Sequence, residues 1–336
     1  MSGINELIKV FFQDKKNYLL LVGVTLLALI PLFVWIPYVL FVLTFAFIFA
    51  IGAIGWNISY GYAGLLSFGH STFWGMAAYI CVFLFRLYYL TPWIGIFVGA
   101  FVAGIFGIIV GWATTKARGL YFSLATMVLP SILVILFTWG YEFTGGSFGL
   151  PIPYMGENAF FMQFNSKVPF YYISLAFLIV CMIALKIIDG SKIGHYLKAI
   201  GRDEEAAESI GIDIFRTRLL AMGISSFVVG LAGGLYANMI HFIDPYEAFG
   251  WTMNVYFILS TMIGGVGTMI GPAIGAMILI PTSEVLKLTL EQQLGRRFIG
   301  VHFIIYGLIL MAMVVKMPEG AYVAIKRRFI KDHDKG

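Results

Sequence analysis

Long apolar runs, separated by short polar segments, recur from one end of the chain to the other. A bilayer core of about 30 Å needs roughly 20 apolar residues per helix, which is close to the length of these runs. The pattern predicts an all-α, polytopic membrane helix bundle with about ten transmembrane helices. The predicted helices span residues 18–36, 38–58, 71–90, 93–114, 120–140, 169–188, 218–241, 251–266, 271–290 and 299–316.

The charged residues predict the orientation of this bundle. Hydrophobic residues make up 60% of the 336-residue chain and charged residues only 12%, which excludes a soluble globular protein. Cytoplasmic segments of membrane proteins are enriched in Lys and Arg. With a cytoplasmic N-terminus at 1–17, a transmembrane domain at 18–316 and a cytoplasmic tail at 317–336, 17 of the 22 basic residues lie inside. This placement accounts for the net charge of +5, so we expect contact with the lipid bilayer and no nucleic-acid partner.

The sequence offers little covalent or metal chemistry. Cys81 and Cys181 lie in apolar runs without a CxxC pair, so neither a disulfide framework nor a metal site is indicated. The nucleotide-binding pattern GxxxxGK[ST] is absent, and GGVGTMIG at 264–271 has the wrong spacing for a dinucleotide loop. Acidic residues fall at helix ends or in loops, whereas ion-coupled carriers usually place them near the membrane midplane. We expect a protein that is not an enzyme and binds no cofactor or metal itself.

Glycines recur at helical spacing in several predicted helices. Small residues four positions apart make a flat face on which another helix can rest. Close helix packing is one interpretation of these faces, and a moving interface is the other. The helix-packing candidates are Gly95, Gly99, Ala103, Gly107 and Gly111, then Gly230 and Gly234, and finally Gly267, Gly271 and Gly275.

A second kind of glycine cluster lies between two apolar runs, in the stretch SYGYAGLLSFGHSTFWG at 59–75. Irregular backbone at membrane depth occurs only where it is buried in protein or lines a wet cavity. The stretch could therefore line a translocation path, and an ordinary cytoplasmic turn with a hydrogen-bonded His is the alternative. His70 has no second His or carboxylate at ligand spacing, which argues against a metal. The path candidates are Tyr60, Gly61, Gly64, Ser67, Gly69, His70 and Ser71.

The stretch GRDEEAAESIGIDIFRTR at 201–218 is rich in charged residues, in contrast to the hydrophobic character of most of the chain. It lies in the longest internal cytoplasmic loop, at 189–217. Acidic residues at its start favour a helix N-terminus, and the glycine at 211 favours a helix end, so we expect a short exposed helix. The spacing EAAxxxG matches the motif with which ABC importer permeases dock a coupling helix on their ATPase. The residues predicted to couple to the ATPase are Arg202, Glu205, Ala206, Ala207 and Gly211.

The resemblance extends beyond this motif, over roughly residues 56–320. The order of several segments is similar to that in LivM-type permeases of the branched-chain amino-acid ABC importer family. These segments read GYAGLLSFGHSTFWGMAAY, ARGLYFSLATMVL, TGGSFGLP, LKAIGRDEEAAESIGI, LAGGLYA, GGVGTMIGPAIGA and MPEG.

This resemblance implies a partner set and an energy source. It implies about ten helices per subunit, a second permease of LivH type, two ABC ATPases that bind ATP and Mg, and an extracellular or periplasmic binding protein. The implied activity is ATP-driven import of branched-chain or related small amino acids. Import of urea or short-chain amides is an alternative within the family. A stand-alone channel or facilitator is the alternative from a different class, and would need no ATPase.

Overall fold

The computed structural model describes residues 15–114, 119–294, 307–308 and 311. Helices form nearly all of this part of the chain, in agreement with the predicted all-α class. A π-helical turn, Ile58–Tyr62, extends α2, and short 3-10 turns occur at Gly146–Phe148 and Ala159–Phe161. The helices and strands are α1 (Lys15–Phe33), α2 (Pro37–Asn57), α3 (His70–Tyr88), α4 (Pro92–Thr114), α5 (Leu120–Trp139), α6 (Tyr141–Thr144), β1 (Leu150–Pro151), α7 (Val168–Gly190), α8 (Lys192–Arg202), α9 (Glu204–Ser209), α10 (Ile214–Ile240), β2 (Phe242–Ile243), α11 (Pro245–Ala248), α12 (Trp251–Gly264) and α13 (Gly271–Leu294).

Seven of the described helices are long and apolar enough to cross a membrane: α2 with its π turn, α3, α4, α5, α7, α10 and α13. The apolar part of α1, Val22–Phe33, is shorter, and α12 has only 14 residues. The polytopic helical bundle is thus confirmed, whereas the number ten is not. The predicted helix 299–316 lies outside the described residues except for 307–308 and 311, and the tail 317–336 lies outside them entirely.

Helix α2 forms the centre of the bundle. Proline in its first turn fixes a helical φ where no hydrogen bond is lost, and residues 46–57 are all buried. The ring of Phe49 lies 5.3 Å from that of Trp74 in α3 and 5.7 Å from that of Phe257 in α12. Aromatic pairs at such distances add stability beyond the apolar area they bury. This cluster joins three helices from distant parts of the sequence.

Glycines form the contact between α4, α3 and α10. A Cβ at Gly99 would lie 2.5 Å from the carbonyl oxygen of Ala77, and one at Gly95 would lie 2.9 Å from Cys81 Sγ. A Cβ at Gly230 would lie 2.8 Å from the Cα of Ala100. These separations leave no room for a side chain, so the helix backbones touch. The other predicted packing residues that also lie against atoms of neighbouring elements are Ala103, Gly107, Gly111, Gly234, Gly267, Gly271 and Gly275.

The loops gather at two opposite ends of the bundle. At the first, which we call the Gly201 end, the backbone of Gly201 lies against Tyr62 and Gly64. At the second, the Leu150 end, strands β1 and β2 pair antiparallel, with Leu150 opposite Ile243. This two-stranded ribbon is a small addition to the predicted all-α architecture.

One chain segment returns into the bundle from each end. Residues 63–69, the first return segment, follow the π turn at the Gly201 end, and residues 241–250, the second return segment, follow α10 at the Leu150 end. They approach each other inside the bundle, because Ser71 Oγ, in the first turn of α3 just after the first return segment, donates a hydrogen bond of 3.0 Å to the carbonyl oxygen of Phe249 in the second. Helix α12 starts directly after the second return segment and has only 14 residues.

An amphipathic helix, α8, precedes the predicted coupling helix and is absent from the sequence predictions. Gly194, Leu197 and Ile200 are buried and recur every three residues, while the remaining positions are polar or partly exposed. Ser191 caps its start, with Oγ accepting a hydrogen bond from the Gly194 amide. With 11 residues, this surface helix is too short to show as one of the apolar runs of about 20 residues that predict membrane spans.

Candidate functional site

The first return segment begins where α2 loses its regular hydrogen bonding. Asn57 is fully buried, and its side chain donates to the carbonyl oxygen of Thr268 at 2.9 Å and accepts from the Gly267 amide at 2.8 Å. Gly61 packs directly on Gly267, and Gly64 has a φ of 70°. A side chain at either Gly61 or Gly64 would disturb this turn, because the first lacks space and the second has left-handed backbone geometry.

Side chains of the first return segment form a buried polar network. His70 is fully buried, with Nδ1 3.0 Å from Ser67 Oγ and Nε2 2.7 Å from Ser225 Oγ. Ser225 Oγ in turn donates to the carbonyl oxygen of Gly55, and Trp56 Nε1 donates to the carbonyl oxygen of Ser67. Both ring nitrogens of His70 therefore have partners within the protein. The network holds irregular backbone at bundle depth, where every polar group needs a partner.

Helix α5 holds the other side of the return segment. Ser123 Oγ donates to the carbonyl oxygen of Leu66 at 2.7 Å, and the Phe68 amide donates to Thr126 Oγ1 at 3.2 Å. Gly69 lies so close to the Thr126 carbonyl that a Cβ would be less than 3.0 Å from it. The segment is thus fixed to α5 by two hydrogen bonds and one backbone contact.

The helices that follow the two return segments, α3 and α12, are joined by a second set of polar contacts. Asn254 in α12 accepts a hydrogen bond from the Ser71 amide at 2.8 Å and donates one to Ser71 Oγ at 2.8 Å. Both residues are at most 1% exposed. On the outer side of this junction, the rings of Phe68 and Trp251 are 5.7 Å apart.

The predicted coupling segment lies against the first return segment at the Gly201 end. Helix α9 begins at Asp203, whose side chain accepts a hydrogen bond from the Ala206 amide, and it is followed by Gly211 with a φ of 84°. Glu204 in α9 forms an ion pair with Arg218 in α10, and the Arg218 side chain is only 8% exposed. A cavity of about 260 Å³ next to this pair is lined by both side chains and by Gly64. The coupling segment, α10 and the return segment therefore share one junction.

The structure divides the predicted coupling residues into two groups. Arg202, Glu205 and Ala206 are exposed, whereas Ala207 is buried against the subunit's own residues at 2% exposure. Ala207 therefore packs against the subunit itself, whereas Ala206 lies on the exposed face of α9. Ile210, absent from the sequence predictions, is 74% exposed beside them.

Several other residues of the junction were also not predicted from the sequence. Asn254 is an amide within an otherwise apolar helix, which is a weak indication of a functional role. Ser123 and Thr126 are residue types that are common in membrane helices, so nothing in the sequence distinguishes them. Within the described residues no group of three or more His, Cys, Asp or Glu side chains could hold a metal ion.

Comparison with known proteins identifies the type of protein to which this bundle belongs. The family model for the permease component of branched-chain amino acid transport systems matches residues 38–314. The chain belongs to this permease family. No solved structure matches the chain.

Individual relatives agree with the family. The chain is 24% identical over 299 residues to the high-affinity branched-chain amino acid transport system permease protein LivM of Escherichia coli, covering 82% of this chain and 68% of LivM. It is also 24% identical over 245 residues to LivH of the same organism, covering 69% and 79%. The ribose import permease protein RbsC of Haemophilus influenzae is 25% identical over 193 residues, covering 54% and 55%. The chain is therefore a multi-pass membrane permease of LivM type.

Proposed function

We propose that this permease is one subunit of an ATP-driven importer that moves branched-chain amino acids across the cytoplasmic membrane. It pairs with a LivH-type permease, two ABC ATPases supply energy from ATP and Mg, and a binding protein outside the membrane delivers the substrate. The similarity to both LivM and LivH supports the pairing. The chain itself does no covalent chemistry in this scheme. Both of its termini are cytoplasmic.

One observation carries the coupling role. The backbone of Gly201, at the end of α8, lies directly on Tyr62, at the start of the first return segment. If the ATPase moves the segment that contains Gly201, this direct backbone contact transmits the movement to the irregular backbone inside the bundle. No flexible linker separates the two. The ion pair of Glu204 with Arg218 connects the same segment to α10. Alternating access needs two discrete arrangements of the helices, and the ATPase shifts the equilibrium between them.

The exposed face of α9 is the proposed docking surface for the ATPase. Ala206 offers a small surface that can enter a groove, and Ile210 offers an apolar side chain of the kind that fills a partner's pocket. Ala206→Trp should abolish co-purification of the ATPase by a clash, whereas Glu205→Gln should have little effect because an exposed charge contributes little. Ala207→Trp is the control for misfolding, since it overfills the subunit's own interior and should lower its abundance.

The test of the whole proposal is uptake in proteoliposomes that contain both permeases and the ATPases, with the binding protein added outside. Labelled leucine should enter only with ATP and Mg in the lumen, and unlabelled isoleucine and valine should compete with it. Uptake without ATP or ATPases would favour a channel or facilitator. Selective uptake of urea or acetamide would assign the chain to the amide importers of the same family.

A further inference from the structure

The junction of the two return segments has a buried side and an exposed side. On the buried side, Ser71 and Asn254 exchange two hydrogen bonds and are almost inaccessible. On the exposed side, the contact consists of the rings of Phe68 and Trp251, and Trp251 is 45% exposed. The contact on this side is therefore aromatic, whereas the contact behind it is a pair of buried hydrogen bonds.

The surface around Trp251 is too polar to face lipid tails. Glu247 and Thr252 are both exposed, four residues before and one residue after it. Ala248 and Phe249, between them, are buried against Gly75 in α3, so this part of the second return segment lies within the bundle. Glu247 is ionisable, and its carboxylate accepts a hydrogen bond from Tyr236 Oη. Ionisable residues of membrane proteins rarely face lipid tails and normally face a water-filled cavity or another subunit. The exposed side of the junction is thus a surface for water, substrate or a second permease.

We propose that Phe68 and Trp251 form the gate of the substrate path: their contact closes the path, and its separation opens it. The proposal rests on the import function proposed above and adds the residues that block the path. Phe68 lies in the segment that enters at the Gly201 end, and Trp251 directly follows the segment that enters at the Leu150 end. In this proposal, their contact blocks the passage of substrate between the Gly201 end and the Leu150 end of the bundle.

Each half of the gate has its own mechanical connection. Phe68 is bonded through its amide to Thr126 in α5, and four residues earlier Gly64 lies against Gly201 of the coupling segment. Trp251 follows the second return segment, which the ribbon of β1 and β2 joins to the loop 141–167. A tilt that starts at the coupling segment moves Phe68 directly, while Trp251 stays with the Leu150 end. The hydrogen bonds of Ser71 with Asn254 can remain in place behind the opening rings.

The test measures leakage of substrate without ATP. Proteoliposomes containing both permeases and the ATPases are loaded with labelled leucine, and its efflux is followed in the absence of ATP. Trp251→Ala and Phe68→Ala should each raise the efflux rate by roughly tenfold, the factor that corresponds to losing one aromatic contact of about 1.4 kcal/mol from the closed state. Trp251→Phe, which keeps an aromatic ring, should leak much less. Trp139→Ala is the matched control, because Trp139 is 85% exposed on α5.

A second measurement covers the case in which an alanine variant does not assemble. The double variant Phe68→Cys with Trp251→Cys, treated with a short bifunctional maleimide, should lose both leucine uptake and leucine efflux and keep basal ATP hydrolysis. Either single variant, which cannot be cross-linked, should leak leucine as the alanine variants do. The gate proposal is refuted if Trp251→Ala shows the same efflux rate as the wild type, or if the cross-linked double variant takes up leucine normally. Neither result would contradict the proposed import function. Failure of the wild-type complex to import leucine with ATP would instead refute the proposed function.

Discussion

Gly201→Ala tests how closely the coupling segment must approach the return segment. A Cβ at this position would meet the Tyr62 carbonyl oxygen at less than 3.0 Å and the Ala63 carbonyl carbon at 3.2 Å, whereas ordinary contacts begin at 3.4 Å. Both obstacles are backbone atoms and cannot rotate away. The end of α8 must therefore retreat by about 1 Å, a displacement sufficient to spoil a precise arrangement elsewhere.

Overfilling a packed contact of this kind typically costs about 1–3 kcal/mol. If this strain falls on the coupled state, substrate-stimulated ATP hydrolysis should fall by about 5- to 150-fold. Stimulated hydrolysis is expressed per assembled complex, so that a loss of folded protein is separated from a loss of coupling. The assay compares leucine-stimulated with basal ATP hydrolysis in the reconstituted complex, alongside leucine uptake.

Gly190→Ala is the matched control for this substitution. It adds the same methyl group at the end of α7, two residues before α8, where no atom lies within 4 Å of the new Cβ. We expect wild-type coupling from this variant. If Gly201→Ala also retains wild-type stimulation at normal abundance, the backbone contact does not transmit the ATPase movement and the coupling argument fails.

Three further tests address topology and packing. A single cysteine at Arg202 should react with a membrane-impermeant maleimide only from the cytoplasm, and one at Phe148 only from outside; the reverse pattern would invert the orientation. Gly233→Ala should lower the thermal unfolding temperature of the purified protein, because the methyl group would press on the Trp74 backbone carbonyl, whereas Gly23→Ala, with open space, should not. Gly69→Leu should reduce leucine uptake far more than abundance, since it separates the return segment from α5; normal uptake would show that this contact is dispensable.

Local features of the fold follow from the sequence, and distant contacts do not. The helix end at Gly211 could be predicted because a positive φ is a local requirement that glycine meets. For the nine predicted helices that fall within the described residues, the boundaries lie within a few residues of those observed. The meeting of Ser71 with Asn254 could not, because 183 residues separate them and nothing in either local pattern specifies the partner.

The sequence also could not predict which side chains of a short helix face the solvent. Ala206 and Ala207 are identical residues at adjacent positions, and only the packing beneath α9 decides which of them is exposed. The predicted path residues illustrate the same limit. Their polar character indicated an unusual segment, but the tertiary structure decides that the ring nitrogens of His70 bind Ser67 and Ser225.

The central position of α2 has a consequence for the order of events during synthesis. The amide of Asn57 finds its partner at Thr268, 211 residues later, and the carbonyl of Gly55 finds Ser225, 170 residues later. At ordinary translation rates of about 5–20 residues per second, the ribosome needs on the order of 10–40 s to supply those partners. The part of the core that is synthesised early is therefore completed late. During that interval α2 must remain in the membrane while the Asn57 side chain and the Gly55 carbonyl lack their final hydrogen-bond partners, which have not yet been synthesised.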